Sequence, residues 1–375
     1  MTLDLDKFLQ HEVYLQRLAS GQLNTVLYPS LDETQKAIRA YLSQFDEIKN
    51  ITQLNQITKA ITEQINSQTG WATVTTNLQE MSLYEAQFQA NLLTSGLAVK
   101  LSLPSDSKII SYVNKAIMSL ESGQRVDAGT WAQFVQANKD SQAKQINSIV
   151  RAAYARGEAM QAISKEIRQS FDGLIKREAE TLARTGFAHY AAQANEAMIQ
   201  DNKDLLKEYY YVVVFDSRTS NICISADLKW NKKRFKVGEK APTPPLHYNC
   251  RTRRIAVPDG WEPKGDKTSI GGVDSTAAEE NFAKRKERKN GGIVKYSGRK
   301  DKAFKPKSIS ASIGYEAWLK QQPDWFVIDT LGKTRADLFI SGKMKLSRFT
   351  DMTGRTLTLE ELKVKGGQSF NIPAL

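Results

Sequence analysis

Tyr209-Tyr210-Tyr211-Val212-Val213-Val214-Phe215 is an unbroken β-branched and aromatic run that ends in Asp216-Ser217-Arg218-Thr219. Such a run reads as a buried strand. Thr252-Arg253-Arg254-Ile255-Ala256-Val257-Pro258 offers it a partner that its own proline ends. Between the two, Leu228-Lys229-Trp230-Asn231-Lys232-Lys233-Arg234-Phe235 alternates basic and aromatic residues around the pair Asn231-Lys232 and predicts a hairpin. Upstream the period is helical, so the expected class is α+β. That means a mainly helical N-terminal region, a central domain of helices packed on a small antiparallel sheet, a basic linker and a small C-terminal module.

Working outward, three helices precede the strand: one from Trp131 to Ala155, a shorter one after Gly157, and one from about Leu174 to Gln200. Met160, Ile163 and Ile167 fall at i, i+3 and i+7 and give the middle helix an apolar face. Farther back, Leu15, Leu18, Leu23, Val26 and Leu27 form one face. Ile38, Leu42 and Phe45 repeat at helical spacing, and so do Met81, Tyr84, Phe88 and Leu92. Ser30-Leu31-Asp32-Glu33 and Leu103-Pro104-Ser105-Asp106 carry helix-start signals. Expected boundaries are 1–127 for the helical region, 128–258 for the central domain, 259–309 for the linker and 310–375 for the C-terminal module. A chain of 375 residues exceeds the about 250 at which one core stops growing, so more than one folding unit is expected.

Hydrophobic residues at 41% and charged residues at 25% are ordinary for a globular protein and exclude disorder along the whole length. No apolar run approaches the about 20 residues that span a bilayer. The start, Met1-Thr-Leu-Asp-Leu-Asp-Lys, is acidic where a signal peptide is basic, so synthesis and assembly in a cytosol are expected. The net charge of +12 is concentrated: residues 229–307 hold 22 Lys and Arg against 9 Asp and Glu, while residues 1–228 are slightly acidic. A local positive block is the footprint of a surface that meets a polyanion, or else a solvated basic loop. Its candidate phosphate contacts are Lys232, Lys233, Arg234, Arg253 and Arg254, with Lys284, Arg285, Lys286, Arg288 and Lys289 in the linker.

Both cysteines and one of the three histidines lie between Asp216 and Arg254: Cys223, and then Pro244-Pro245-Leu246-His247-Tyr248-Asn249-Cys250-Arg251. An H-x-x-C loop supplies two zinc ligands from one tight turn, and Cys223 adds a third. Asp216 or Asp227 can complete the set. A reduced loop held by packing and a Cys223–Cys250 disulfide are the alternatives. Asp216, Arg218, Pro245 and Arg251 fix turns, with Arg251 placed to pair with Asp216.

This pattern resembles the head-morphogenesis, or Mu F-like minor capsid, family of tailed bacteriophages. There a D-x-R-T-C-x-x-C element is followed, after a basic hairpin, by P-P-x-H-x-x-C-R. The preceding helix, Glu180-Thr181-Leu182-Ala183-Arg184-Thr185-Gly186-Phe187-Ala188, is similar as well, and Arg184 belongs to the shared pattern. The resemblance covers roughly residues 130 to 258. Ser220 stands where the family has its first cysteine. The resemblance implies a minor head protein inside the phage head, partnered by the portal, by the major capsid or scaffolding protein and by double-stranded DNA, with structural zinc as a possible cofactor and no membrane before ejection.

An HNH-like, metal-dependent nuclease is the alternative from another class, since His247-Tyr248-Asn249 is superficially similar to its histidine loop. It needs further ligands, and the other histidines, His11 and His189, lie in helical segments. No Walker A, G-x-S-x-G or H-E-x-x-H motif is present, so no catalytic residue is assigned and no enzymatic activity is expected.

Overall fold

The structure is a computed structural model that describes residues 5–98, 100–122, 125–216, 219–231, 233–261, 266–270, 306–310, 312–349 and 356–365. The chain opens with α1 (Leu5–Gln22), which runs through a π turn, Leu23–Leu27, into α2 (Tyr28–Leu42). Then follow α3 (Ile51–Asn66), α4 (Gly70–Leu97) and α5 (Asp106–Lys115). Starts are set by local chemistry. Asn50 accepts from Gln53 N at 2.9 Å to cap α3, and Ser105 caps α5.

A hairpin comes next, β1 (Met118–Ser122) against β2 (Arg125–Gly129), antiparallel with Leu120 opposite Asp127. The sequence reading assigned no strands here. The signal was short: Met118 and Leu120 alternate with polar residues and run into a Ser-Gly pair at 122–123. After it, Thr130 and Gln133 form a capping box that starts α6 (Trp131–Arg156), and Gly157 ends that helix in the left-handed conformation at φ 68°. Then come α7 (Met160–Ser170), a second π turn at Phe171–Ile175, and α8 (Lys176–Asp201).

These helices form one body. A single core runs from Leu15 through Trp71, Leu78, Trp131, Ile146, Ile163 and Leu182 to Ala194. The boundary expected at 127/128 therefore falls inside β2 and cuts a continuous core; helical periodicity gives each helix a face but does not say which helix covers it. At the centre the indoles of Trp71 and Trp131 meet edge to face at 5.8 Å, and Trp131 donates its N–H to Thr75 Oγ1 at 2.8 Å. The Trp131 ring lies on Gly186 of α8, where a Cβ atom would stand 2.5 Å from the ring.

The chain then enters the three-stranded sheet β4-β3-β5, made of β3 (Glu208–Val212), β4 (Phe235–Lys236) and β5 (Arg253–Val257), all antiparallel. Tyr210 faces Ile255 and Tyr209 faces Phe235. The expected strand pair is present but shorter, since Val213 and Phe215 leave the ladder to join another core. In place of the predicted hairpin across Asn231-Lys232, a helix, α9 (Asn221–Trp230), leads into the short strand β4. Ser220 caps α9, and Asn231 N returns to Asp227 O at 2.9 Å, so Asn231 closes a helix rather than turning a hairpin.

Within the segment expected as a linker, β6 (Asp266–Ile270) pairs antiparallel with β7 (Pro306–Ser310). The helix expected at Ser275–Lys289 lies outside the described residues. The C-terminal part holds α10 (Tyr315–Leu319), α11 (Asp324–Leu331), α12 (Lys333–Ile340) and α13 (Leu359–Lys365). Its Tyr315, Trp318, Phe326, Phe339 and Leu362 share a core with Phe215, Cys223, Leu246 and Cys250. The C-terminal module thus packs directly on the cysteine-bearing loops. No described helix is long and apolar enough to cross a membrane.

Candidate metal centre

The end of β3 and the start of β5 lie side by side, which brings the two halves of the motif together. On the first half, Thr219 builds the turn: its hydroxyl accepts from Asp216 N at 3.0 Å and donates to Val214 O at 2.7 Å. Ser220 follows as N-cap, accepting from Cys223 N, so Ser220 and Cys223 project from one side of the first turn of α9. On the second half, the loop after the cis peptide Pro244–Pro245 carries His247 and Cys250, with Cys250 N bonded to His247 O at 3.1 Å.

The two halves converge. Cys223 Sγ lies 3.0 Å from His247 Nε2 and 3.7 Å from Cys250 Sγ, and the three ligand atoms all fall within 4.8 Å of one another. His247 Nδ1 lies 2.7 Å from Tyr248 O. A carbonyl only accepts, so Nδ1 carries the proton and Nε2 turns its lone pair toward the sulfurs. A tetrahedral ion with Zn–S bonds of about 2.3 Å separates two sulfurs by ~3.8 Å, so the thiol pair already has the right edge. The imidazole edge is shorter than the ~3.6 Å such a site needs, and the ring must retreat by about half an ångström. Zinc fits this donor set, with Cys223, His247 and Cys250 as ligands.

The electrostatics favour an anion at this point. Burial pushes the Cys250 thiol up, but its close contacts with Cys223 and His247 outweigh it and hold the group well below the ordinary thiol range. Cys223 is held well above that range, first by its hydrogen bond to Cys250 and then by burial. Burial lowers His247, and its contact with Cys250 overcomes that and raises it. Thr252 adds a hydroxyl that donates to Cys223 Sγ at 3.0 Å.

Asp216 and Asp227 do not complete the centre. Asp216 receives both arms of the Arg251 guanidinium at 2.6 and 2.7 Å, and its carbonyl accepts from Tyr315 O–H. Asp227 accepts from Tyr315 N at 2.7 Å at the start of α10, against Gly314, where a Cβ would meet Asn231 Nδ2 at 2.9 Å. Each acid joins the motif to the C-terminal helices instead. Partners outside the motif loops hold the loop in place, and of these Glu121 and Asp127 carry no signal in the sequence: Glu121 N donates to Leu246 O, Tyr248 O–H donates to Asp127, and Asn249 N donates to Thr185 Oγ1. Asn249 is left-handed at φ 60°, a conformation asparagine tolerates. Arg184 pairs with Glu180 and reaches Gln16 and Ser20 of α1, so it serves the helical body.

The expected phosphate contacts divide. Arg253 pairs with Glu12 of α1 and donates to Ala188 O, its side chain only 11% exposed. Arg254 pairs with Glu196 and lies 4.1 Å over the Tyr209 ring. Both guanidinium groups are internal ties, which corrects their assignment to a DNA surface: a strand's arginines alternate faces, and here both faces are covered. Lys233 is exposed, 4.2 Å over Phe235, and Arg234 lies over Tyr210. Lys232, Arg218, Lys284, Arg285, Lys286, Arg288 and Lys289 lie outside the described residues.

A comparison with curated proteins and one with solved structures find no match. A scan against family models does find one, and its limits enclose α7, α8, β3, α9, β4 and the whole Ser220-to-Thr252 centre. Over residues 144–255 the chain matches the family described as Phage Mu protein F like protein.

Proposed function

We propose that the chain is a minor head protein of a tailed phage, incorporated during procapsid assembly, and that it meets the portal or inner capsid and the packaged DNA. The family match over residues 144–255 carries this reading. The work is assembly rather than catalysis. His247 faces Tyr248 O with one ring nitrogen and Ser220 and Cys223 with the other, so its imidazole serves the loop tie and not a reacting phosphate. Metal at Cys223, His247 and Cys250 pins the end of β3 to the start of β5 and so fixes the face on which the C-terminal helices sit. The positive block from 229 to 307 supplies sequence-independent contacts to DNA phosphate.

The test is assembly with the other head proteins of the same phage. Purified procapsids should contain this chain in a few copies, and procapsids assembled without it should form fewer DNA-filled, infectious particles. A chain that never copurifies with procapsids, or whose omission leaves infectious yield unchanged, contradicts the reading.

A further inference from the structure

Among the described residues, the group able to hold an ion contains three cysteine or histidine ligands, and a tetrahedral ion takes four. We propose that Ser220 is the fourth ligand, so that this chain binds its ion through two thiolates, one imidazole and one hydroxyl. The proposal rests on the metal reading of Cys223, His247 and Cys250 and adds a donor from this chain's own departure from the cysteine pattern.

Three observations support it. Ser220 Oγ lies 2.7 Å from His247 Nε2, the same nitrogen whose lone pair faces Cys223. The N-cap geometry that makes Ser220 accept from Cys223 N also turns the side chains of residues 220 and 223 toward one point, as a C-x-x-C turn does with two thiols. The neighbouring oxygens are committed elsewhere: both Asp216 oxygens to Arg251, Asp227 to the start of α10, and the Thr252 hydroxyl to donation onto Cys223 Sγ.

The proton inventory is consistent. With Nδ1 donating to Tyr248 O, Ser220 O–H donates to Nε2. When an ion takes the Nε2 lone pair, that hydrogen bond ends, the hydroxyl rotates its proton outward, and an oxygen lone pair faces the ion in its place. Cys223 and Cys250 give up their thiol protons to solvent as the ion binds. Two thiolates balance a divalent cation, and the neutral serine leaves the centre uncharged. A third thiolate would add a negative charge and a softer donor, so the serine makes the tie weaker and more exchangeable than a three-cysteine centre. Sulfur and imidazole together select zinc over magnesium or calcium.

Cobalt(II) reads both coordination number and thiolate count in the full-length, reduced chain, with zinc competition giving affinity. The Ser220→Gly variant removes the donor while glycine remains an adequate N-cap, Ser220→Thr keeps both, and Ser220→Cys restores the third thiolate. Unfolding curves in chelator establish that each variant is folded. The proposal expects wild type and Ser220→Thr to share one four-coordinate visible spectrum. It expects Ser220→Gly to bind about 10–100-fold more weakly with altered bands. It expects Ser220→Cys to bind more tightly with added sulfur-to-cobalt charge transfer. Wild-type affinity and spectrum in Ser220→Gly overturn the serine's role and leave the three-ligand centre intact. Failure of both wild type and Ser220→Cys to bind cobalt or zinc overturns the centre itself.

Discussion

Arg251 and Asp216 show how single residues hold the motif. Their two parallel hydrogen bonds join the start of β5 to the end of β3, with the carboxylate almost wholly buried. Removing the cation leaves that buried carboxylate without its counter-charge. Arg251→Ala should therefore lower stability by about 3 kcal/mol in chemical unfolding, and Arg251→Lys should recover only part of it because lysine has no fork. An unchanged midpoint in Arg251→Ala counts against the pair as a structural tie.

His189 gives a second residue-scale expectation. It is buried in α8, its Nε2 has no hydrogen-bond partner among the described residues, and burial lowers it from the ordinary 6.5 to about 4. The unfolded chain takes up a proton near pH 6.5 while the folded chain resists until about pH 4. Stability contributed by the neutral ring is therefore complete above pH 6.5 and lost as pH falls toward 4, by roughly 3 kcal/mol. His189→Gln should flatten that part of the stability profile; the same slope in the variant assigns it to other groups. Of the residues in the centre, Cys223, His247 and Cys250 were legible because thiol and imidazole at H-x-x-C spacing have few other uses. Ser220 was not, since a serine in a cysteine's place reads as a loss until its hydroxyl is seen beside the imidazole.

Among the elements, α8 does the most to place the site. Its Thr185 hydroxyl accepts from Asn249 N, Asn195 donates to Arg254 O, and Gly186 admits the Trp131 ring. A methyl group at 186 has to displace an indole packed at the middle of the core. Gly186→Ala should thus cost about 1–3 kcal/mol despite alanine's better helix propensity, measured as a shift of the unfolding midpoint. Stabilisation by this substitution would mean that α8 and α6 do not pack through this contact. The helices α6 to α8 and the strands β3 and β5 were readable from period and residue type. The hairpin β1–β2 was not, because five-residue strands with two buried side chains give little alternation. The exchange of a predicted hairpin for α9 has a local cause: the cap at Ser220 and the apolar residues Ile222, Cys223, Ile224 and Ala226 outweigh the alternation that starts at Leu228.

For the whole molecule, the decisive feature is that three cores meet around the motif. Tyr248 packs on the core of the helical body, Ile255 to Val257 of β5 belong to the sheet core with Phe8, Leu93 and Leu97, and Cys223, Leu246 and Cys250 belong to the core of the C-terminal helices. The sequence showed regions but not this convergence, because the residues that join them, Arg253 and Arg254, look like surface charges until Glu12 and Glu196 are seen beside them. With both arginines internal, residues 259–307 still hold 13 Lys and Arg against 8 Asp and Glu. Neutralising Lys284, Arg285, Lys286, Arg288 and Lys289 should reduce the slope of log affinity against log salt for duplex DNA by about 4.5, if each meets a phosphate. An unchanged slope would make that cluster a solubilising charge only.

On the proposed reading, residues 144–255 are organised around a metal tie at Cys223, His247 and Cys250. Its most direct test is elemental mass spectrometry on chain purified without chelator, beside a Cys250→Ser control. About one zinc per wild-type chain, lost in the control, is the predicted result; wild-type chain free of zinc and unable to take it up would contradict the claim and leave the loop held by packing and by the Arg251–Asp216 pair alone.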